Sequence, residues 1–128
     1  MPVRKGMHHV AANVRSLKDT VAFYEALGCC LKHAWPAEAP KACMVDVGGT
    51  CIEFFEKDEG DPEADAVIVH FALRSEDVDG DFAAALAAGA KVQTEPKDVV
   101  LPSNPPLPAR IAFVVGINGE IIEFFQEK

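Results

Sequence analysis

Apolar residues follow two patterns in the first half of the chain, one typical of β-strands and one typical of a helix. Residues 7–14 are a β-favouring apolar run. Leu17, Val21 and Tyr24 then recur at helical spacing until Gly28, a residue typical of the position where a helix ends. The predicted elements are a strand at 7–14, a helix between Ser16 and Gly28, and strands at 29–35, 41–47 and 51–57, the last two forming a hairpin about Gly48-Gly49.

The second half repeats this order of elements. Asp77 is predicted to cap a helix in which Val78, Phe82 and Leu86 recur at helical spacing. Before and after this helix, β-favouring runs predict strands at 67–73, 91–95, 109–115 and 120–126, with the last hairpin turning at Asn118-Gly119. Each half is therefore predicted to be a βαβββ unit.

A proline-rich stretch separates two of these predicted strands. Residues 96–108 hold five of the nine prolines, and proline fixes φ and removes a backbone donor, so the stretch is predicted to be irregular. The connection from Glu95 to Arg110 is long for a compact domain, and long connections are often functional. We interpret it as a flap that covers a substrate.

The repeat extends to polar residues set into the apolar strands. Each half places a histidine nineteen residues before a helix-ending glycine, and a glutamate four residues after a turn glycine. The pairs are His9–Gly28, His70–Gly89, Gly49–Glu53 and Gly119–Glu123. The repeat predicts one domain over 1–128, built of two modules at about 7–57 and 66–127, with the boundary in the acidic stretch 58–65.

The four repeated polar residues predict a metal site. One histidine in an apolar strand is typical of a hydrogen-bonded core residue, and one glutamate of a strand end that faces water. Two similar modules pack about a pseudo-two-fold axis, which would bring His9, Glu53, His70 and Glu123 to one place. Two imidazoles and two carboxylates suit Ni²⁺, Zn²⁺, Co²⁺, Mn²⁺ or Fe²⁺ and leave room for water or substrate.

Composition and charge exclude several classes of partner. The chain has 128 residues and a net charge of −8, which argues against nucleic acid and anionic membranes. No apolar run approaches the roughly 20 residues of a membrane span, and the N-terminus has no apolar segment typical of a secretory signal. The four cysteines form no C-x-x-C pair and are interpreted as reduced thiols. A cytoplasmic protein with a small-molecule substrate is expected.

At these residues the chain resembles the vicinal oxygen chelate superfamily, which contains glyoxalase I, methylmalonyl-CoA epimerase, extradiol dioxygenases, fosfomycin-resistance enzymes and bleomycin-binding proteins. The segments that carry the resemblance are HVAANVRSLKDTVAFYEALG, IEFFEK, VIVHFALRSEDV and ARIAFVVGINGEIIEFF. The resemblance implies an α+β fold in which tandem βαβββ modules form a cupped mixed sheet around a metal. It matches the ligands to His9, Glu53, His70 and Glu123. His8 is expected on the opposite strand face, as a packing or surface residue, and His33 as an exposed strand residue.

The glutamate at the second ligand position resembles that of glyoxalase I. It implies a lyase or isomerase that transfers a proton next to a carbonyl through a metal-stabilised enediolate, with Glu53 or Glu123 as the base. Asn13 stands where glutathione-dependent relatives carry Arg, so another thiol adduct, an acyl-CoA or a small hydroxy-ketone stays open. The alternatives are an acyl-CoA epimerase, a dioxygenase, and a metal-free binding protein of the bleomycin-resistance type.

Each module must bury the apolar face of its sheet against another module, from the same chain or from a second chain. A short linker favours exchange between chains, and the glyoxalase-like resemblance implies a homodimer with its sites at the interface. The expected site therefore takes His9 and Glu53 from one chain and His70 and Glu123 from the other.

Overall fold

The chain forms an eight-stranded mixed sheet with two helices, an α+β fold of two βαβββ modules. The computed structural model describes residues 6–26, 28–58, 68–117 and 119–128. The first module is β1 (Met7–Val14), α1 (Leu17–Ala26), β2 (Cys30–Trp35), β3 (Ala42–Asp46) and β4 (Cys51–Glu56). The second is β5 (Ile68–Arg74), α2 (Val78–Ala87), β6 (Lys91–Leu101), β7 (Leu107–Val115) and β8 (Ile121–Glu127).

The predicted order of elements is confirmed, including the hairpin about Gly48-Gly49, where both glycines have positive φ. Cys43 pairs with Phe54 rather than with Cys51, as a turn centred on the two glycines requires. Most of the acidic linker, at 59–65, and Asn118 lie outside the described residues.

The sheet places the four strands that carry the repeated polar residues side by side at its centre. Its order is β2-β3-β4-β1-β5-β8-β7-β6. In each module the first strand pairs in parallel with the last, and β1 pairs antiparallel with β5 to join the modules. The pseudo-symmetry inferred from the repeat is thus built into one continuous, curled sheet.

Both helices begin at a side-chain cap and pack against one face of the sheet. The Ser16 hydroxyl accepts the backbone N–H of Asp19, and the Asp77 carboxylate accepts that of Gly80. Each helix has ten residues, and no helix in the described part of the chain has the length and apolarity of a membrane span. The buried cluster under α1 includes Leu17, Cys43, Val45 and Phe54, and the cluster under α2 includes Val78, Phe82, Ala112, Val114 and Phe124.

The opposite face of the sheet carries the polar residues of the repeat. Side chains alternate along a strand, so Glu53 and Glu123 lie on the face away from Phe54 and Phe124, which contact the helices. A third apolar cluster covers part of this second face. Its buried members are Met44, Cys51, Ala72, Leu107, Ala109, Ile111 and Phe125.

The prediction of an irregular connection over 96–108 is wrong. β6 continues to Leu101 and β7 begins at Leu107, so only 102–106 join them. Pro96 is tolerated because β6 is an edge strand whose register against β7 shifts between Thr94 and Lys97. Leu101 and Leu107 pair and pack in the third apolar cluster, so this hairpin is part of the core and not a separate flap.

Candidate metal centre

The strand register brings the four repeated polar side chains together across two alanines. Ala11 pairs with Glu53 on one side and with His70 on the other. Ala72 pairs with His9 on one side and with Glu123 on the other. Each alanine is completely buried, so a small residue separates each histidine from a glutamate of the other module and leaves space for the longer side chains to converge.

Four polar atoms meet at the centre of the sheet. The Nε2 atom of His9 lies 3.0 Å from Oε1 of Glu123 and 3.3 Å from Oε1 of Glu53. The Nε2 atom of His70 lies 3.0 Å and 3.4 Å from the same two oxygens. The two Nε2 atoms are 3.3 Å apart, so both imidazoles direct the same nitrogen at the same pair of carboxylates.

The donor set fits a divalent metal ion. Potential ligand atoms of His9, His70 and Glu123 lie within 4.8 Å of one another, and Oε1 of Glu53 is within 3.4 Å of both imidazoles. All four side chains are buried, and two buried carboxylates need a compensating positive charge. A borderline cation held by two nitrogens and two oxygens would supply that charge.

In the absence of metal, protons on the imidazoles compensate the carboxylates. Burial acts to lower the pKa of both histidines, but the hydrogen bonds and charges of Glu123 and Glu53 outweigh it. The pKa of His70 is raised to about 9, and that of His9 is raised as well. Burial likewise acts to raise the pKa of Glu53, but hydrogen bonds from His70 and His9 lower it. The ionised form of Glu53 and the protonated forms of the two histidines therefore favour each other.

We expect metal affinity to increase as the pH rises toward 9. A divalent ion binds neutral imidazole, so it must displace the proton that Glu123 and Glu53 hold on His70, whose pKa is about 9. Below that pH, each unit of acidification should weaken binding by up to about tenfold for each proton displaced. Calorimetry in buffers of different ionisation enthalpy should detect the released protons. An affinity that stays constant between about pH 6 and 8 would contradict this assignment.

The structure corrects the expected placement of two other histidines. His8 does not lie on the far face: it is buried and stacks on Phe125, with ring centroids 4.2 Å apart. The reason is a register shift between Met7 and His9 in the pairing of β1 with β5, which interrupts simple alternation. His33 is half-buried rather than exposed, and its Nδ1 has no hydrogen-bond partner among the described residues.

His8 connects the cluster to the rim of the sheet. Its Nδ1 lies 2.8 Å from Nδ1 of His9, and its Nε2 lies 2.8 Å from Oε2 of Glu127, whose side chain is 43% exposed. Burial lowers the pKa of His8, although the hydrogen bond that His8 donates to Glu127 acts in the opposite direction. Sequence periodicity gave no sign of this chain of contacts.

The expectation of a site shared between two chains is also wrong for this structure. One chain supplies both histidines and both glutamates, because β1 and β5 pair within the same sheet. The short linker suggested exchange, but linker length alone does not determine whether two modules of one chain can pair.

Sequence reasoning missed the two alanine spacers, although the repeat contains them. The segments His9-Val10-Ala11 and His70-Phe71-Ala72 share a His-x-Ala pattern. The pattern has a structural reason only once the strand order is known, since each alanine then lies between a histidine and a glutamate of different modules.

The duplicated βαβββ sheet defines the class of fold, and comparison with known proteins gives the family. The model of the Glyoxalase/Bleomycin resistance protein/Dioxygenase superfamily matches residues 6–103. The chain therefore belongs to this superfamily, as the resemblance implied. Comparison with curated proteins gives no match.

Solved structures show the same fold at low sequence identity. Methylmalonyl-CoA epimerase from Mycobacterium tuberculosis aligns with a TM-score of 0.73 and 20% identity, over 100% of this chain and 93% of that chain. A hypothetical protein from Bacillus halodurans aligns with a TM-score of 0.71 and 22% identity, over 96% and 94%. Methylmalonyl-CoA epimerase from Streptomyces coelicolor, in complex with 2-nitronate-propionyl-CoA, aligns with a TM-score of 0.72 and 20% identity, over 97% and 98%.

Proposed function

We propose that this chain is a metal-dependent enzyme that transfers a proton at a carbon next to a carbonyl. A glyoxalase I-like lyase or isomerase reaction is the favoured case. The observation that carries the proposal is the pair of buried carboxylates, Glu53 and Glu123, which face the same two imidazole nitrogens from opposite modules. Such a pair supplies both metal ligands and a proton acceptor in one water-poor place.

His9, His70, Glu53 and Glu123 are the residues that would hold the metal. A bound divalent cation would act as a Lewis acid that stabilises negative charge on the oxygens of a hydroxy-carbonyl substrate. The burial of all four side chains excludes water around the reacting carbon, which strengthens electrostatic interactions there.

A glutamate then accepts the substrate proton and returns it. Hydrogen bonds from the two histidines lower the pKa of Glu53, so this carboxylate is ionised and able to accept a proton near neutral pH. In an isomerase the same group returns the proton to the neighbouring carbon. In an epimerase with two carboxylates, one ionised glutamate would remove the proton from one side of the carbon, and the other glutamate, protonated, would deliver a different proton to the opposite side.

The neighbouring surface suits an uncharged part of a substrate. Asn13 lies two residues beyond Ala11 on β1, about 7 Å along the strand, on the same face. It is buried, and its Oδ1 has no hydrogen-bond partner among the described residues. The atom can accept a hydrogen bond from a substrate hydroxyl or amide, whereas an acidic substrate group would find no cation in this side chain.

Features of the site favour some of the remaining alternatives over others. An epimerase acting on an acyl-CoA thioester is the second candidate, because Oε1 of each glutamate lies at nearly equal distances from Nε2 of both histidines, 3.0 and 3.0 Å for Glu123 and 3.3 and 3.4 Å for Glu53. The second glutamate counts against a dioxygenase, whose metal the resemblance assigns to two histidines and one glutamate. The convergence of four buried donors counts against a metal-free binding protein.

Solvent-deuterium incorporation into a panel of thiohemiacetals, hydroxy-ketones and acyl-CoA thioesters tests the proposal. The chain is purified without chelator, its metal is quantified, and each substrate is followed by mass spectrometry and NMR. Metal-dependent isomerisation with or without label supports the lyase or isomerase, and label with inversion of configuration supports the epimerase. Oxygen consumption without isotope exchange would establish a dioxygenase instead. A chain that binds no metal and turns over no substrate would favour the binding protein.

We also propose a homodimer of complete chains. Exposed apolar side chains support it: Ile68 is 66% exposed, Val100 61% and Ile117 77%. Because each chain holds a full ligand set, association would not exchange ligands. Light scattering measures the mass, and a monomer at micromolar concentration would rule the dimer out.

A further inference from the structure

A series of hydrogen bonds leads from the partly exposed Glu127 through His8 to Nδ1 of His9, the ring nitrogen that faces away from the proposed metal position. It links Glu127 to Nε2 of His8 at 2.8 Å, and Nδ1 of His8 to Nδ1 of His9 at 2.8 Å. His8 is held in this position by its contact with Phe125, at a centroid distance of 4.2 Å. The ring is buried, so water does not compete for its nitrogens.

The direction of each hydrogen bond in this series follows from which ring nitrogen of His8 and of His9 carries a proton. Glu127 is an acceptor, so His8 donates through Nε2–H. A metal bound at Nε2 of His9 would leave the proton of that ring on Nδ1, so Nδ1 of His8 must be the bare, accepting nitrogen. Nδ1–H of His9 must therefore be the donor in the contact between the two rings. The proton on Nδ1 of His9 is retained by its acceptor, and Nε2 is left as the nitrogen that gives its lone pair to a metal.

The arrangement exists in only one of the two modules, and the sequence shows why. The repeat places Val69 at the position that corresponds to His8, and Lys57 at the position that corresponds to Glu127. A valine side chain can neither donate nor accept a hydrogen bond. The two imidazoles of the centre are thus equivalent in the repeat but not in their surroundings.

We propose that His8, oriented by Glu127, is a positioning residue that fixes the tautomer and orientation of His9 and makes His9 the stronger imidazole ligand. Outer partners that accept from the second ring nitrogen of a ligating histidine orient the ring and raise its basicity. The inference rests on the proposed metal centre, and the experiment below separates the failure of one from the failure of the other.

The test compares His8→Phe with His8→Gln in the full chain. Phenylalanine keeps a ring against Phe125 but removes both hydrogen bonds. The glutamine amide can accept from Nδ1–H of His9 and donate to Glu127. Zn²⁺ and Co²⁺ affinities are measured by competition with a chelator, and the Nδ1–H and Nε2 signals of His9 are recorded by NMR in the Zn²⁺-loaded protein.

We expect His8→Phe to weaken metal binding by about 10- to 100-fold, the range for loss of an outer partner, and His8→Gln to stay within about threefold of the parent. The parent should show a protected Nδ1–H on His9, and His8→Phe should lose it. Val69→Ala, the matched change in the other module, should leave affinity unchanged.

Three outcomes would overturn the inference. They are equal affinity of His8→Phe and the parent, loss of affinity in both His8 variants, and the absence of a protected Nδ1–H on His9 in the Zn²⁺-loaded parent. A parent chain that binds neither ion would instead overturn the proposed metal centre. Thermal unfolding of the metal-free variants shows whether each one is folded.

Discussion

Replacing His70 with alanine is expected to weaken divalent-metal binding by about 10²-fold, because apparent structural-metal affinities of roughly 10–16 kcal/mol are shared among four ligands. The change removes one of two imidazole nitrogens, which lie 3.3 Å apart and contact the same glutamate oxygens. The affinity is measured by competition with a chelator, and metal content after dialysis gives an independent value.

His33→Ala is the matched control for this experiment. His33 is half-buried and its Nδ1 has no partner among the described residues, so its loss removes a histidine without removing a ligand. We expect metal affinity within about twofold of the parent, as for a change that touches no ligand or outer partner. If His70→Ala binds metal as tightly as His33→Ala does, the four-residue centre is wrong.

Activity should follow metal occupancy in the His70 variant. If the metal supplies the stabilisation of charge on the substrate, proton transfer falls with the bound fraction and recovers when excess metal refills the site. If the metal-depleted parent protein keeps its full activity, the proposed metal-dependent function is wrong, but the proposal that these residues bind a metal is not affected.

The repeat in the sequence was sufficient to predict which polar residues meet. His9, His70, Glu53 and Glu123 occupy equivalent places in two similar modules, so packing about a two-fold axis that passes close to them brings them together. The structure shows that convergence through the central strands β4, β1, β5 and β8. Residues stay equivalent between the two modules even when the connecting loops differ in length. The prediction therefore held although the two halves have unequal lengths.

The surroundings of the centre could not be predicted in the same way, because they depend on register. A shift in the pairing of β1 with β5 directs His8 to the buried face, although alternation from His9 predicts the other face. A shift in the pairing of β6 with β7 likewise accommodates Pro96 inside a strand. Alternation describes an ideal strand, and a single irregular pair changes the face of a residue.

Whether the four site residues come from one chain or from two could not be predicted from the sequence, for a different reason. Pairing of β1 with β5 within one chain or between two chains would make similar hydrogen bonds and bury similar side chains. The path of the linker would decide between them, and most of the linker, at 59–65, lies outside the described residues. The single-chain centre is therefore a result of the structure alone.

The roles of the two glutamates should separate in a pair of isosteric variants. Glu53→Gln and Glu123→Gln each keep a side-chain oxygen that can contact a metal but remove the group that accepts a proton. We expect the variant that lacks the base to lose about 10²- to 10⁴-fold in proton-transfer rate, the usual contribution of a general base. Metal affinity, measured on the same preparations, shows whether the loss is due to an empty site.

The pattern of loss also distinguishes the two proposed reactions. A lyase or isomerase that uses one base should lose turnover strongly in one variant and only weakly in the other. An epimerase with one base on each side of the carbon should lose epimerisation in both variants, while each variant still exchanges deuterium into one of the two enantiomers. The two carboxylates face the histidines from opposite modules, with Oε1 of Glu123 at 3.0 Å from both Nε2 atoms, so both patterns are compatible with the geometry. If both metal-loaded variants exchange deuterium at the parent rate, neither glutamate is the base and the proposed chemistry is wrong.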